Sequence, residues 1–270
     1  MKYIFANWKQ YFSYSETIQH FEQLLQELHS IVDRESMVVG VAVSHESLSA
    51  VCSLHNNTSL WVGGQSCSSF FQGAYTGEVS ARSLKEIGSQ FVFVGHSERR
   101  KFFKETDEDV ALQIKHALRA GLKVVLCIGE SLEDRALETS MQVLRFQITS
   151  ALERVDSNDT KNILIAYEPQ YAIGSGILPD LDEIEKTMVG LQNIKNEASL
   201  NLQQVPLLYG GSINEKNYES VMQLSNVEGL LVGGASLQVQ TFKTIVEGCQ
   251  LIKKNGVSNI DKIYNIVENI

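Results

Sequence analysis

The stretch Ala166-Tyr167-Glu168-Pro169-Gln170-Tyr171-Ala172-Ile173-Gly174-Ser175-Gly176 decides the reading of this chain. Residues 163–167 are apolar throughout, which reads as a strand buried on both faces. Pro169 stops that strand and confines Glu168 to extended backbone angles. The chain then enters a glycine-punctuated loop. A carboxylate therefore stands on a rigid edge, beside a segment that can move. Two further runs repeat the arrangement. Phe91-Val92-Phe93-Val94-Gly95 leads into His96 and Glu98, and Tyr3-Ile4-Phe5-Ala6 delivers Asn7 and Lys9. Three strands ending in chemically competent side chains are what a parallel barrel produces, because its site is built at the C-terminal ends of its strands.

Working outward, strand-like runs fall at 3–7, 37–43, 60–64, 91–94, 123–128, 163–167, 205–209 and 229–232. Helical patterns lie between them, among them 16–32, 107–120, 138–155 and 182–197. Eight strands alternating with helices give the count of an α/β fold closed as a (β/α)8 barrel. Thr106 with Asp109 reads as a helix N-cap, and Gly121 as a helix C-terminal glycine. No linker or fixed-period repeat divides the sequence, so the expectation is one domain over residues 1–270. Residues 257–270 form an extension in which Ile260, Ile263, Tyr264, Val267 and Ile270 recur at helical spacing. A short extra C-terminal helix packed on the barrel exterior is expected there.

Bulk properties narrow the function. The 270 residues are 43% hydrophobic and carry a net charge of -9. An acidic chain lacks the positive footprint of a nucleic-acid binder. No apolar run approaches the ~20 residues needed to span a bilayer. Residues 1–6 are too short for a secretory apolar region. Cys52, Cys67, Cys127 and Cys249 show neither close pairing nor metal-ligand spacing, which suits reduced thiols in a cytoplasmic protein.

Seven segments, in order, carry a more specific signal: Asn7-Trp8-Lys9, Gly73-Ala74-Tyr75-Thr76-Gly77-Glu78-Val79-Ser80, Gly95-His96-Ser97-Glu98-Arg99-Arg100, Cys127-Ile128-Gly129-Glu130, Ala166-Tyr167-Glu168-Pro169, Tyr209-Gly210-Gly211-Ser212 and Leu231-Val232-Gly233-Gly234-Ala235-Ser236-Leu237. Together they resemble the triosephosphate isomerase family over nearly the whole chain. The resemblance implies a TIM barrel that interconverts dihydroxyacetone phosphate and D-glyceraldehyde 3-phosphate through an enediolate, with no metal and no cofactor. By the same resemblance Glu168 is the base and His96 the neutral electrophile, for which a lowered pKa is expected, as the family pairs these two groups. Lys9 is the fixed cation. Asn7 contacts substrate oxygens or orients Lys9. Glu98 holds Lys9 by charge pairing or shuttles protons.

Gly174, Ser212, Gly233 and Gly234 match the family's phosphate-gripping positions. Backbone N–H groups there would hold an anion without net positive charge. Residues 170–176 resemble the closing lid, which keeps the enediolate from losing its phosphate. The loop 65–79, with Gln65 at its start, Val79 at its end and Thr76 between, resembles the segment that reaches a neighbouring subunit, implying a homodimer. Three places depart from the family pattern. The first lid hinge reads Pro169-Gln170-Tyr171 instead of Pro-Val-Trp. The second reads Ser175-Gly176-Ile177-Leu178. The turn after the second strand reads Ser44-His45-Glu46 where a proline-rich turn is common. Two alternatives remain open: a related isomerase of four-carbon ketose phosphates, and a non-catalytic barrel that binds phosphate ligands.

Overall fold

Residue alternation along the strands explains how the barrel is filled. In the computed structural model, which describes residues 1–54, 60–174 and 176–252, eight parallel strands close on themselves in sequence order. They are β1 (Lys2–Asn7), β2 (Met37–Val43), β3 (Leu60–Gly64), β4 (Phe91–Val94), β5 (Lys123–Ile128), β6 (Ile163–Tyr167), β7 (Leu207–Tyr209) and β8 (Gly229–Val232). β1 pairs with both β2 and β8, which seals the barrel. Alternate residues point to opposite faces. One set, including Phe5, Ala42, Phe91, Phe93, Val125, Cys127, Leu164, Ala166, Leu208 and Leu231, forms an inner core. The other set, including Ile4, Ala6, Val39, Val41, Val92, Val94, Ile165, Tyr167 and Tyr209, packs outward against the helices.

The inner core is dense because large and small residues interlock. The Phe5 ring lies 4.8 Å from the Phe91 ring, edge to face. A Cβ added to Gly40 would sit 2.5 Å from the Phe5 ring, and one added to Gly63 would sit 2.6 Å from the Phe91 ring. The two glycines of β2 and β3 are therefore the space that the phenylalanines occupy. Protein interiors tolerate such exchange of volume between neighbours but not its loss.

The helix Asp107–Ala120 starts as expected. Thr106 Oγ1 accepts the Asp109 N–H, while Asp109 accepts the Thr106 N–H. Gly121 ends it in the left-handed conformation, with φ at 81°. Four boundaries are corrected. β7 begins at Leu207, not 205, because Pro206 has no N–H for the ladder. The first helix is Tyr14–Leu28, since Ser13 is its cap and Glu16 accepts both the Ser13 N–H and its hydroxyl. The span 138–155 holds only Ser140–Leu152; a separate short helix, Leu132–Ala136, precedes it, started by a Ser131–Asp134 capping box and divided from it by Glu138 at φ 57°. The span 182–197 becomes Leu181–Lys195. The expected C-terminal helix lies outside the described residues.

Candidate active site

The inward face that builds the core also aims the site. Phe5 and Asn7 share parity on β1, and Ala166 and Glu168 share it at β6, so Asn7 and Glu168 stand one step above the apolar floor. Both are buried, at 6% and 4% exposure. His96 reaches the same level by a different route. Gly95 takes φ 74°, and a Cβ there would lie 3.1 Å from the Cys127 carbonyl oxygen. That turn carries the chain off β4 and makes His96 the N-cap of the helix Ser97–Phe103, its Nδ1 accepting the Glu98 N–H at 3.2 Å. With Nδ1 occupied as an acceptor, the proton of the neutral ring sits on Nε2. Nε2 lies 3.4 Å from Glu168 Oε1.

Lys9 is held rigidly for a lysine. Its backbone is left-handed, φ 51°, which is unfavourable for a residue with a Cβ and persists only when neighbours enforce it. Two neighbours do so. Asn7 Oδ1 accepts the Lys9 N–H at 3.1 Å, and Gln65 Nε2 donates to the Lys9 carbonyl at 2.7 Å. Lys9 Nζ ends 2.6 Å from Glu98 Oε1. The arginines of the same motif are structural: Arg99 pairs with Glu105, while Arg100 donates to the Gly95 carbonyl and pairs with Asp107.

Glu168 has room because two glycines, Gly129 and Gly210, stand against it, and a third, Gly211, stands against the Pro169 that follows it. A Cβ on Gly129 would fall 1.9 Å from the Glu168 carbonyl oxygen, and one on Gly210 would fall 2.7 Å from Glu168 Cγ. One on Gly211 would fall 3.1 Å from Pro169 Cγ. Glu168 Oε2 is buried without a hydrogen-bond partner. Burying a polar oxygen unpaired is unfavourable, and one that faces a cavity calls for a partner that the cavity supplies.

His96 departs from the expected electrostatics. Burial, the largest influence, disfavours the imidazolium, but the carboxylates of Glu168 and Glu98 together outweigh burial and the Lys9 charge. The net direction of its pKa is upward, the reverse of the expected lowering. The reason is that Glu168 lies directly beside Nε2.

One cavity of about 560 Å³ gathers the residues singled out in the sequence: Asn7, Lys9, His96, Glu168, Gly174, Ser212, Gly233 and Gly234. A Cβ on Gly234 would meet nothing within 4 Å, and one on Gly233 only Lys9 Cε at 3.9 Å, so both backbones lie bare to the cavity. The Ser236 N–H and hydroxyl both donate to the Gly233 carbonyl and fix this loop. Ser212, itself at φ 47°, donates its hydroxyl to the Ala172 carbonyl of the 170–176 segment. Glu98 is not in this cavity. It lines a neighbouring one of about 460 Å³ with Gln65, His45 and Phe102, reached from the first through Asn7, Lys9 and His96. Thr76 lies exposed in the 65–79 loop and lines neither cavity. Among the described residues no group of His, Cys, Asp and Glu is placed to hold a metal ion, and no helix is long and apolar enough to cross a membrane.

Sequence reasoning missed Gln65 as a support of Lys9 and Gly129 and Gly210 as supports of Glu168. Gly210-Gly211 follows β7, the strand that neighbours β6, and that adjacency was the available signal.

The chain is similar to known proteins over most of its length. The family model described as triosephosphate isomerase matches residues 2–249. The triosephosphate isomerase of Thermodesulfovibrio yellowstonii is 37% identical over 247 residues, covering 91% of this chain and 98% of the relative. That of Geotalea uraniireducens is 38% identical over 246 residues, covering 90% and 96%. The crystal structure of triosephosphate isomerase from Bartonella henselae superposes with a TM-score of 0.81 at 29% identity, over 92% of this chain and 99% of that one. With a closed eight-stranded barrel, a cavity at the C-terminal ends of its strands and likeness along nearly its full length, the chain belongs to the triosephosphate isomerase family.

Proposed function

We propose that this isomerase interconverts dihydroxyacetone phosphate and D-glyceraldehyde 3-phosphate, with Glu168 as the base. The observation that carries the reading is the buried, unpartnered Glu168 Oε2 in the cavity that also holds His96 Nε2 and Lys9. Glu168 removes the proton from the carbon beside the carbonyl. His96 Nε2–H donates to the oxygen that becomes the enediolate, and the Lys9 ammonium offsets its charge. The hydroxyl proton passes from one enediol oxygen to the other by way of His96 Nε2, and Glu168 returns its own proton to the adjacent carbon. Asn7 holds Lys9 in place through its backbone, and Glu98 holds the ammonium from behind. The route calls for no metal and no cofactor. Backbone N–H groups of Gly174, Ser212, Gly233 and Gly234 grip the phosphate. His96 must be neutral for this role; the Glu98 N–H on Nδ1 favours the neutral ring, against the upward push of the Glu168 and Glu98 carboxylates.

The same proposal includes a homodimer. The exposed Phe70 and Tyr75 of the 65–79 loop stack at 3.6 Å, and the exposed Phe102 and Phe103 border the 460 Å³ cavity. Both features fit the loop of one copy, Thr76 included, entering that cavity of another. We further infer one domain with residues 257–270 as an extension, and a cytoplasmic setting, which four buried free thiols suit.

The test is a coupled assay of purified protein beside Glu168→Ala. Isomerisation of glyceraldehyde 3-phosphate should fall by roughly 10²–10⁴-fold in the variant, the usual contribution of a positioned general base. Wild-type turnover only on four-carbon ketose phosphates would replace the substrate assignment. Binding of triose phosphate with no proton exchange at its carbon would replace the enzyme by a binder.

A further inference from the structure

The lid hinge of this chain departs from the family pattern at Gln170 and Tyr171, and both side chains are anchored. The Gln170 N–H donates to the Glu130 carbonyl at 3.1 Å, and its side-chain Nε2 donates to the Gly129 carbonyl at 2.8 Å. Tyr171 leaves the barrel rim and meets Arg135 in two ways. Arg135 Nη1 donates to the Tyr171 hydroxyl at 2.7 Å, and the guanidinium carbon stands 5.0 Å from the centre of the Tyr171 ring. The other arm of the same fork, Nη2, lies 2.5 Å from Glu183 Oε1. Arg135 closes the last turn of Leu132–Ala136, and Glu183 sits in the first turn of Leu181–Lys195. One guanidinium therefore ties the hinge to two helices on the barrel exterior. Beyond Tyr171 the Ala172 carbonyl accepts the Ser212 hydroxyl, and Gly174 and Gly176 follow with φ of 70° and 72°.

We propose that Arg135 is a positioning residue for the lid, clamping Tyr171 against Glu183 so that the loop pivots beyond residue 171. The proposal rests on the isomerase reading above. None of Arg135, Tyr171 and Glu183 lines the 560 Å³ cavity, so they act on the reaction only through the loop. The geometry needs arginine. A planar fork can serve a hydroxyl, an aromatic face and a carboxylate at once, whereas the point charge of lysine cannot. The Glu183 arm is half-exposed and contributes less than the Tyr171 arm, whose partner is more enclosed.

A loosened hinge has a chemical signature. The enediolate can expel its phosphate, breaking the carbon–oxygen bond to release inorganic phosphate and, after tautomerisation, methylglyoxal. A lid that sits less closely lets that loss compete with proton return.

The experiment compares wild type, Arg135→Met, Tyr171→Phe and the double variant, measuring kcat, KM, melting temperature and methylglyoxal per turnover. Arg135→Met should lower kcat/KM by about tenfold, as expected for loss of a charge-assisted hydrogen bond with a cation–π contact, and should raise the methylglyoxal fraction several-fold. Tyr171→Phe keeps the ring and should fall between Arg135→Met and wild type. The double variant should be no worse than Arg135→Met, because both changes cut the same link. A clamp of purely structural worth would lower the melting temperature and leave kcat/KM and methylglyoxal untouched; that result overturns the proposal, as does additivity in the double variant. A wild type without isomerase activity would overturn the functional reading instead.

Discussion

Gly210 offers a test of how closely Glu168 is positioned. In Gly210→Ala the new Cβ would lie 2.7 Å from Glu168 Cγ, 3.3 Å from Glu168 Oε1 and 3.3 Å from Leu231 Cβ. Carbon atoms rest about 3.5–4.0 Å apart at contact, so Glu168 Cγ must retreat by roughly 1 Å. Leu231 Cβ is fixed by the β8 backbone and yields little. Gly210 is itself held, its N–H donating to the Tyr167 carbonyl at 2.8 Å. The side chain of Glu168 therefore moves, taking the carboxylate from its place 3.4 Å from His96 Nε2. A misplacement of about 1 Å at a catalytic group lowers the rate by about 10²-fold, equivalent to about 2.7 kcal/mol of transition-state stabilisation. Gly210 has no positive φ to lose, so the fold should tolerate alanine. The assay is steady-state isomerisation with a melting curve on the same preparation. Inhibition by inorganic phosphate reports the anion grip separately and should stay within about twofold, since the backbone donors there are untouched. A folded Gly210→Ala retaining a third or more of wild-type kcat/KM would refute the claim that Glu168 is packed to this tolerance.

Two further outcomes follow from the site and the loop. In Glu168→Gln the largest influence raising the His96 pKa disappears while burial remains, so His96 should titrate at lower pH than in wild type, as read from its ring-proton NMR shifts; an unchanged or higher value refutes the assignment of cause. The sign carries to stability. A raised folded pKa stabilises wild type fully below the unfolded value near 6.5, and this contribution is lost as pH rises through the folded value, so any advantage of wild type over Glu168→Gln should shrink from acid toward neutral pH. Sedimentation at micromolar concentration should give the mass of two chains, and replacing Phe70 and Tyr75 together by serine should shift it to one chain with an activity loss of about tenfold or more; a monomeric wild type with full activity would remove the dimer.

Much of this was legible in the sequence, for a physical reason. Strands buried on both faces read as apolar runs whatever surrounds them, so seven of the eight strands fall within a residue of their expected bounds. The exception, β7, turned on Pro206, which fits an extended backbone but cannot join a ladder. Glu168 and His96 were legible as candidates because strand ends are where such a barrel keeps its chemistry. The glycines around Glu168 were not, because their meaning lies in which strand stands next to which, and one sequence carries no record of contact. The upward direction of the His96 pKa was hidden for the same reason: it depends on a carboxylate that comes from another strand. Arg135 was silent too. On a five-residue helix it reads as an ordinary surface cation until Tyr171 is seen beneath it.

The interlocked phenylalanines and glycines inside the barrel have a consequence for hydrogen isotopes. Phe5, Phe91 and Phe93 are fully buried and stop the barrel below Asn7 and Glu168. The apolar floor thus closes the site from below, and solvent hydrogen approaches the carboxylate from the loop side. With Glu168 as the proposed base, whether the hydrogen it lifts returns to carbon or washes out into the medium is then governed at the rim. Tritium placed on the substrate carbon would record, in the ratio retained to lost, how long the mouth stays shut during one turnover.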